Sequence, residues 1–424
     1  MCTRRFFVKL LITILISTSW SVLPAHAQGE EPTGSLDEPL TLSSVTSLAL
    51  AQNPAVRRAR VEIEAADLAR RGAGAPTANP ALTFEGGPRF GPNGPQADVG
   101  ISLEIPFDLG GTSRRLRASS SAALDAAQAR LQWVELGVST ATRVLFAEAV
   151  AAGGRTVVAQ EAVALAEELE RVARRRHELG EVSILEPNFA GLERTQAQGG
   201  LLSARLDEAR AYRALAGFLA LPADATLTLV PPLPPSWKGE LPPTVQHLAA
   251  QAARRPDLAS ATAQARAADA NIEVARGRGA PGLSVAGGWA REGDEANLVT
   301  GAVRFELPVQ RNQLAVAGAR GAAGVATIDA EIASMTVSRE LTAAVDGWET
   351  AVARYALATE QALPLAEENL RLVLRAYSAG KEELLAVLLM QRQALGARQS
   401  AITAQLDLHR AAAALERAIA QEVF

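Results

Sequence analysis

The sequence predicts a mainly helical chain with a small membrane β part, arranged as two tandem repeats of helix, strand, strand, long helix and return helix. Three observations carry this. Collinear motifs recur at an offset of about 200 residues, apolar positions repeat every seven residues over very long segments, and each half holds one pair of short alternating segments.

Residues 1–27 read as a cleavable secretory signal and are set aside from the fold. Arg4, Arg5 and Lys9 give a positive start, Leu10 to Ile16 an apolar centre, and Ala25-His26-Ala27 a small-residue cleavage site. Residues 28–42 form an N-terminal linker. The single cysteine, Cys2, falls inside the signal, so the mature chain is expected to have no disulfide, thiolate metal site or lipidated cysteine. No later stretch is apolar for the eighteen or so residues that a transmembrane helix needs. Scarce aromatics (4%) favour long, closely packed helices over a thick globular core. The net charge of −4, with no basic stripe, argues against a nucleic-acid partner.

The duplication is read from ordered matches. Asn53-Pro54 returns as Arg255-Pro256, and Ala65-Ala66-Asp67 as Ala267-Ala268-Asp269. Gly86-Gly87 returns as Gly287-Gly288, Glu104-Ile105-Pro106 as Glu306-Leu307-Pro308, and Leu179-Gly180 as Ala379-Gly380. Repeat 1 then occupies residues 43–222 and repeat 2 residues 244–424. Between them the proline-rich stretch 223–243, with Pro231-Pro232-Leu233-Pro234-Pro235, cannot be helical and reads as a belt-like connector.

Each repeat opens with a helix, from about Asn53 to Arg71 and from about Pro256 to Arg276. The long helix of repeat 1 is expected from Thr112 to Leu179, ~100 Å if continuous. Leu124, Leu131, Val138 and Leu145 mark its seam, followed by Leu165, Val172 and Leu179. Leu363, Leu370 and Tyr377 repeat the spacing in the second half, as do Leu388, Leu395 and Ile402 on its return helix. Seven-residue spacing belongs to helices lying side by side. Gly153-Gly154 and Pro364 are expected to bend these helices. Gly180 and Gly380 suit left-handed helix ends, giving each hairpin a sharp tip. Ser183 to Glu186 fits a capping box that restarts the helix, with Pro187 in its opening turn.

Strands are expected near 80–88, 98–107, 282–291 and 298–308. Leu82 and Phe84 alternate with Thr83 and Glu85; Ile101 and Leu103 alternate with Ser102 and Glu104; Val303 and Phe305 alternate with Arg304 and Glu306. Gly87 to Gln96 and Glu292 to Asn297 read as the loops between them. One apolar and one polar face fit a membrane barrel with a wet interior, which would put Glu85, Glu104, Arg304 and Glu306 in the lumen. The same pattern also fits soluble hairpins with one buried face; export, duplication and helix length favour the membrane. Four strands cannot close a barrel alone, and an open edge in lipid leaves peptide groups unpaired at several kcal/mol each. A membrane location therefore requires oligomerisation.

No catalytic, metal or cofactor site is expected. His177, His247 and His409 are far apart and read as helix-surface residues. Gly277-Arg278-Gly279-Ala280-Pro281-Gly282 matches a dinucleotide fingerprint, but it follows a helix and precedes a strand, the reverse of that site.

With these elements in order, the mature chain resembles the TolC family of outer-membrane efflux proteins. The resemblance rests on the tip segment Tyr377-Ser378-Ala379-Gly380 with Leu384-Leu385 and on the strand-to-helix joints. The joints Pro106-Phe107-Asp108-Leu109-Gly110-Gly111 and Pro308-Val309-Gln310-Arg311-Asn312-Gln313 are similar to those of the CzcC-like heavy-metal branch. The resemblance implies a homotrimer in outer-membrane lipid, with a twelve-stranded barrel on a twelve-helix periplasmic tunnel. It further implies a passive exit duct, not an enzyme, docked tip-first onto a periplasmic adaptor and an inner-membrane pump of the resistance–nodulation–division type. Members often carry acidic residues beyond the second tip, where this chain has Ala386 and Leu389. Its tip charges are instead Glu181 and Glu186 on one hairpin and Lys381, Glu382 and Glu383 on the other. These are the candidates for shaping the entrance and the adaptor contact, together with Gly180, Ser183, Tyr377 and Gly380. Solvated helix-end charge is the plainer reading of the five, and a capping duty is that of Glu186. The exit of a type I polypeptide secretion or drug efflux system, and a soluble periplasmic coiled-coil protein, stand as alternatives.

Overall fold

The computed structural model describes residues 39–74, 79–91, 94–222, 225–238, 244–293, 296–309 and 312–424. The signal, most of the N-terminal linker, parts of the connector, and Gln310-Arg311 of the second joint lie outside these.

Each repeat begins with a short helix that sequence reading passed over: α1 (Leu42–Gln52) and α5 (Val245–Ala252). Thr41 and Thr244 cap them, accepting from the amides of Ser44 and His247. Next come α2 (Pro54–Gly72) and α6 (Pro256–Gly277), each with proline in the first turn, where its missing N–H costs nothing.

The strands β1 (Ala81–Gly91), β2 (Gly94–Phe107), β3 (Gly282–Glu292) and β4 (Ala296–Glu306) form one antiparallel sheet in that order. Towards the hairpin turns they run further than expected, while β4 stops at Glu306, short of the expected 308. The segment Gly87 to Gln96, read as a loop, pairs down to Gly91 opposite Gly94, and Glu292 pairs with Ala296. Pro88 lies on β1, at the edge of the sheet of one chain, the place where strands accept proline.

From the sheet the chain enters α3 (Thr112–Glu178), 67 residues without a break. The hydrogen-bond ladder runs straight through Gly153-Gly154. A Cβ on Gly154 would lie 3.5 Å from Ile402 and one on Gly153 3.5 Å from Glu208, ordinary contacts, so a methyl group would fit at either position. The return helix is α4 (Leu185–Phe218). In repeat 2 the long helix is α7 (Gln313–Ala356), then a π-helical turn (Leu357–Ala362), then α8 (Leu363–Ser378), and the return helix is α9 (Leu384–Ile419). The expected disturbance at Pro364 takes this form. Proline cannot donate to a carbonyl one turn back, and the ladder locally widens.

Helix neighbours change along the molecule. Near the sheet the order is α2, α3, α6, α7; towards the tips α3 lies between α4 and α9, with α8 beyond α9. Ser260 donates to Ala126 O in the first zone, and Arg398 links α9 to Glu161 of α3 and Glu367 of α8 in the second. A main core joins α7, α9 and α5 through Leu341, Trp348, Leu408 and Leu415. The described part of the connector crosses here: Val230 N donates to Leu40 O, and Trp237 stands edge-on to Phe424.

Candidate functional site

The two hairpin tips lie side by side. Gly180 (φ 75°) and Gly380 (φ 70°) take the left-handed conformation that ends a helix. Their closures match: Gly180 N donates to His177 O and Glu181 N to Arg176 O, as Gly380 N does to Tyr377 O and Lys381 N to Ala376 O.

Between the tips is a small core of Leu169, Ala173, Ala190, Leu384, Val387 and Tyr377. Tyr377 is 3% exposed and therefore a packing residue, not part of an open entrance. Burial pushes its hydroxyl up in pKa, opposed by Arg176, whose guanidinium lies 5.1 Å from the ring centroid. Arg176, unmarked in the sequence, organises the tip. It reaches Glu181 at 3.3 Å and Glu186 at 3.9 Å, and its contact with the Tyr377 hydroxyl raises its own pKa against burial.

The capping box at Ser183 to Glu186 does not form. Ile184 is already helical (φ −58°, ψ −19°), so Ser183 stands just before the first helical residue and caps it from one side only. Ser183 Oγ accepts only from Leu185 N, and Glu186 turns to Arg176. Lys381, Glu382 and Glu383 are exposed on the second tip.

Outside this core a groove of about 950 Å³ runs between α4 and α9. Its polar rim includes Glu181, Glu186, Lys381 and the Glu193–Arg392 pair at 2.9 Å. Its walls are apolar and open to solvent: Leu185, Phe189 and Leu192 on α4, Leu385 and Leu389 on α9. Leu389, at a position that is often acidic in the family the sequence resembles, is a groove wall. The spacing of four and three on α4, and of four on α9, was available in the sequence but runs on the face away from the heptad seam.

At the other end, the strand register places Glu85, Glu104, Arg304 and Glu306 on one face with Thr83 and Ser102. Glu104 accepts from Arg304 at 3.0 Å and from Ser284. Glu85 and Glu306 share the face without joining this pair. A second cluster was hidden by the loop reading: Arg89 binds Asp98 and Glu292, each at 2.9 Å, and Asp98 also accepts from Gly293 N. Five carboxylates against two guanidiniums leave this face acidic. The opposite face is apolar and bare, with Phe84 72%, Val303 61% and Phe305 63% exposed.

His409 corrects the surface reading of the histidines. It is 3% exposed, with neither ring nitrogen hydrogen-bonded, and burial with help from Arg143 lowers its pKa to about 4. His177 is half-buried and meets Val182 O at 3.0 Å; His247 is exposed on α5. Among the described residues no group of His, Cys, Asp or Glu is placed to hold a metal ion, and no helix is long and apolar enough to cross a membrane.

The fold has solved counterparts. The CmeC outer membrane channel of Campylobacter jejuni is 18% identical with a TM-score of 0.77, over 90% of this chain and 86% of that one. The outer membrane protein VceC of Vibrio cholerae is 19% identical with a TM-score of 0.76, over 90% and 97%. The MtrE outer membrane channel of Neisseria gonorrhoeae, in its open state, is 21% identical with a TM-score of 0.63, over 90% and 89%. No curated protein matches in sequence. The family model described as outer membrane efflux protein matches residues 45–220 and 248–421, most of the length of both repeats. The chain belongs to the outer membrane efflux protein family.

Proposed function

We propose that three copies of this chain form a passive exit duct through the outer membrane, served by a periplasmic adaptor and an inner-membrane pump of the resistance–nodulation–division type. One observation carries the reading: the four-stranded sheet is open at β1 and β4, and its apolar face has no cover. In lipid such a sheet must be closed by others, and three copies supply twelve strands. The acidic face then lines the lumen, where water tolerates charge.

The helices support the same assembly. The edge helices carry outward apolar residues at helical spacing: Val61 and Leu68 on α2, Val325, Ile328 and Ile332 on α7, Leu202 and Leu206 on α4, Leu365 and Leu372 on α8. Such stripes are halves of interfaces. The tip groove, apolar with a charged rim, suits the helical end of an adaptor. The CzcC-like joints favour divalent metal cations as cargo, while selection of cargo belongs to the pump.

The test is mass determination in detergent with single-channel recording in planar bilayers. A mass of three chains and a steady conductance are expected. A monomer without pore activity, recovered in the aqueous fraction, overturns the reading in favour of a soluble coiled-coil protein. Deletion of the gene is expected to lower tolerance to divalent metals. Sensitivity to dyes alone, or loss of a secreted polypeptide, would instead point to a drug efflux or type I secretion exit.

A further inference from the structure

The helix ends nearest the sheet are basic in a chain that is acidic overall. Residues 67–74, 108–120, 269–278 and 312–320 hold eight arginines against four carboxylates, while the whole chain has a net charge of −4. The two repeats use these charges differently. In repeat 1, Arg70 and Arg71 both bind Asp67, and the Asp108 carboxylate is taken by the amides of Thr112 and Ser113. In repeat 2, Glu273 is shared: Arg276 binds its carboxylate, and Arg115 reaches its backbone carbonyl at 2.9 Å and its carboxylate at 3.6 Å. Arg278, two residues on at the C-cap of α6, is exposed and has no partner among the described residues. Positive charge is therefore in surplus at the α6 end.

Arg276 also lines a cleft of about 610 Å³ with Gly279, Pro281, Leu307, Pro308 and Val309. Leu307 and Val309 keep up in sequence the alternation of Val303 and Phe305 in the segment that follows β4. They are 81% and 92% exposed. One wall of the cleft is thus apolar and exposed, and a guanidinium stands at its rim.

We propose that this cleft binds an anionic phospholipid of the periplasmic leaflet, its phosphodiester held by Arg276 and Arg278 and its acyl chains lying on Leu307, Val309 and Phe305. The proposal rests on the reading that the apolar sheet face lies in a bilayer. A guanidinium offers a phosphodiester paired hydrogen bonds as well as charge. Near an anionic leaflet each arginine is worth about fivefold in affinity.

The experiment titrates the detergent-purified protein with phosphatidylglycerol or phosphatidylcholine of the same acyl chains and counts retained lipid by native mass spectrometry. Wild type is expected to prefer phosphatidylglycerol by about tenfold or more. The R276Q/R278Q variant is expected to lose that preference while binding phosphatidylcholine as before, and R278Q alone to lose part of it; unchanged helical circular dichroism confirms that both fold. Equal retention of the two lipids by wild type overturns the proposal, as does a preference that survives in the double variant. So does full competition by inorganic phosphate, which would mark a plain anion site. A chain that fails to insert even into phosphatidylcholine vesicles overturns the membrane reading itself, a distinct outcome.

Discussion

The two return helices have the same place in their repeats and opposite places in the molecule. α9, of 36 residues, buries sixteen of them; α4, of 34 residues, buries four. α9 packs against α3, α7 and α8, whereas α4 packs against α3 and turns Leu192, Leu202 and Leu206 outward. Duplication copied the element but not its neighbours. Position in the layer decides whether a leucine is core or edge, and the leucines of the edge helix α4 stay uncovered within one chain.

The inequality is sharpest where the repeats begin. Asn53 accepts from Ala55 N to cap α2 and donates to Phe218 O. Its counterpart Arg255 makes no cap. It is 1% exposed, pairs with Asp257 and Glu340 at 2.7 Å, and lies 4.6 Å from the ring centroid of Trp133. Arg255→Ala removes a fully buried side chain and both its ion pairs, leaving Asp257 and Glu340 to water, and should cost about 2–3 kcal/mol, against about 1 kcal/mol for Asn53→Ala. Thermal unfolding in detergent measures both, and equal losses would break the comparison. Leu415→Ala, in the fully buried seam of α9, should cost about 2–5 kcal/mol. Leu202→Ala on α4 should leave the protomer within about 0.5 kcal/mol and instead weaken cross-linking between copies. Protomer destabilisation by both would mean that α4 is not an edge.

A pH titration sharpens the same contrast. His409 on α9 corresponds, counting from the tips, to Ala209 on α4. Arg143 from α3 acts on it and in turn pairs with Glu416 of α9, and Tyr212 from α4 lines the same cavity. With a folded pKa of about 4, His409 binds fewer protons than the unfolded chain does between there and about 6.5. Stability therefore rises with pH across that window and falls as acid is added, by up to about 3 kcal/mol. Glu416, raised by burial, gives the opposite slope, gaining stability on acidification. His409→Leu should remove the acid loss above about pH 4 and leave the Glu416 slope there, while the lowered Asp67 and Asp108 carboxylates add their own loss in stronger acid. If acid sensitivity persists unchanged, the destabilising proton binds elsewhere.

Periodic features were legible in the sequence because many residues repeat the same message. The duplication, the 67-residue helix and the polar face carrying Glu85, Glu104, Arg304 and Glu306 are of this kind. What escaped depends on single contacts between distant segments. Arg176 became an organiser only once Tyr377 of the other hairpin lay beneath it, and nothing adjacent to His409 signals its burial. Composition misled at Gly87 to Gln96: glycine and proline suggested a loop, yet pairing with β2 carries the strand through them. The full capping box fails at its Glu186 half, because spacing does not report that Arg176 draws the Glu186 carboxylate away.

The tips are where the repeats should agree. Gly180 and Gly380 differ by only 5° in φ, close with matching hydrogen bonds, and have open space where a Cβ would go. Substitution by alanine at either site then meets no clash and carries only the cost of a left-handed backbone, about 1–2 kcal/mol. Gly180→Ala and Gly380→Ala should lower the unfolding midpoint equally, although one tip leads into an edge helix and the other into the core. An unequal loss would mean that one tip bears strain from its neighbours, and the asymmetry between α4 and α9 would then extend into the turns themselves.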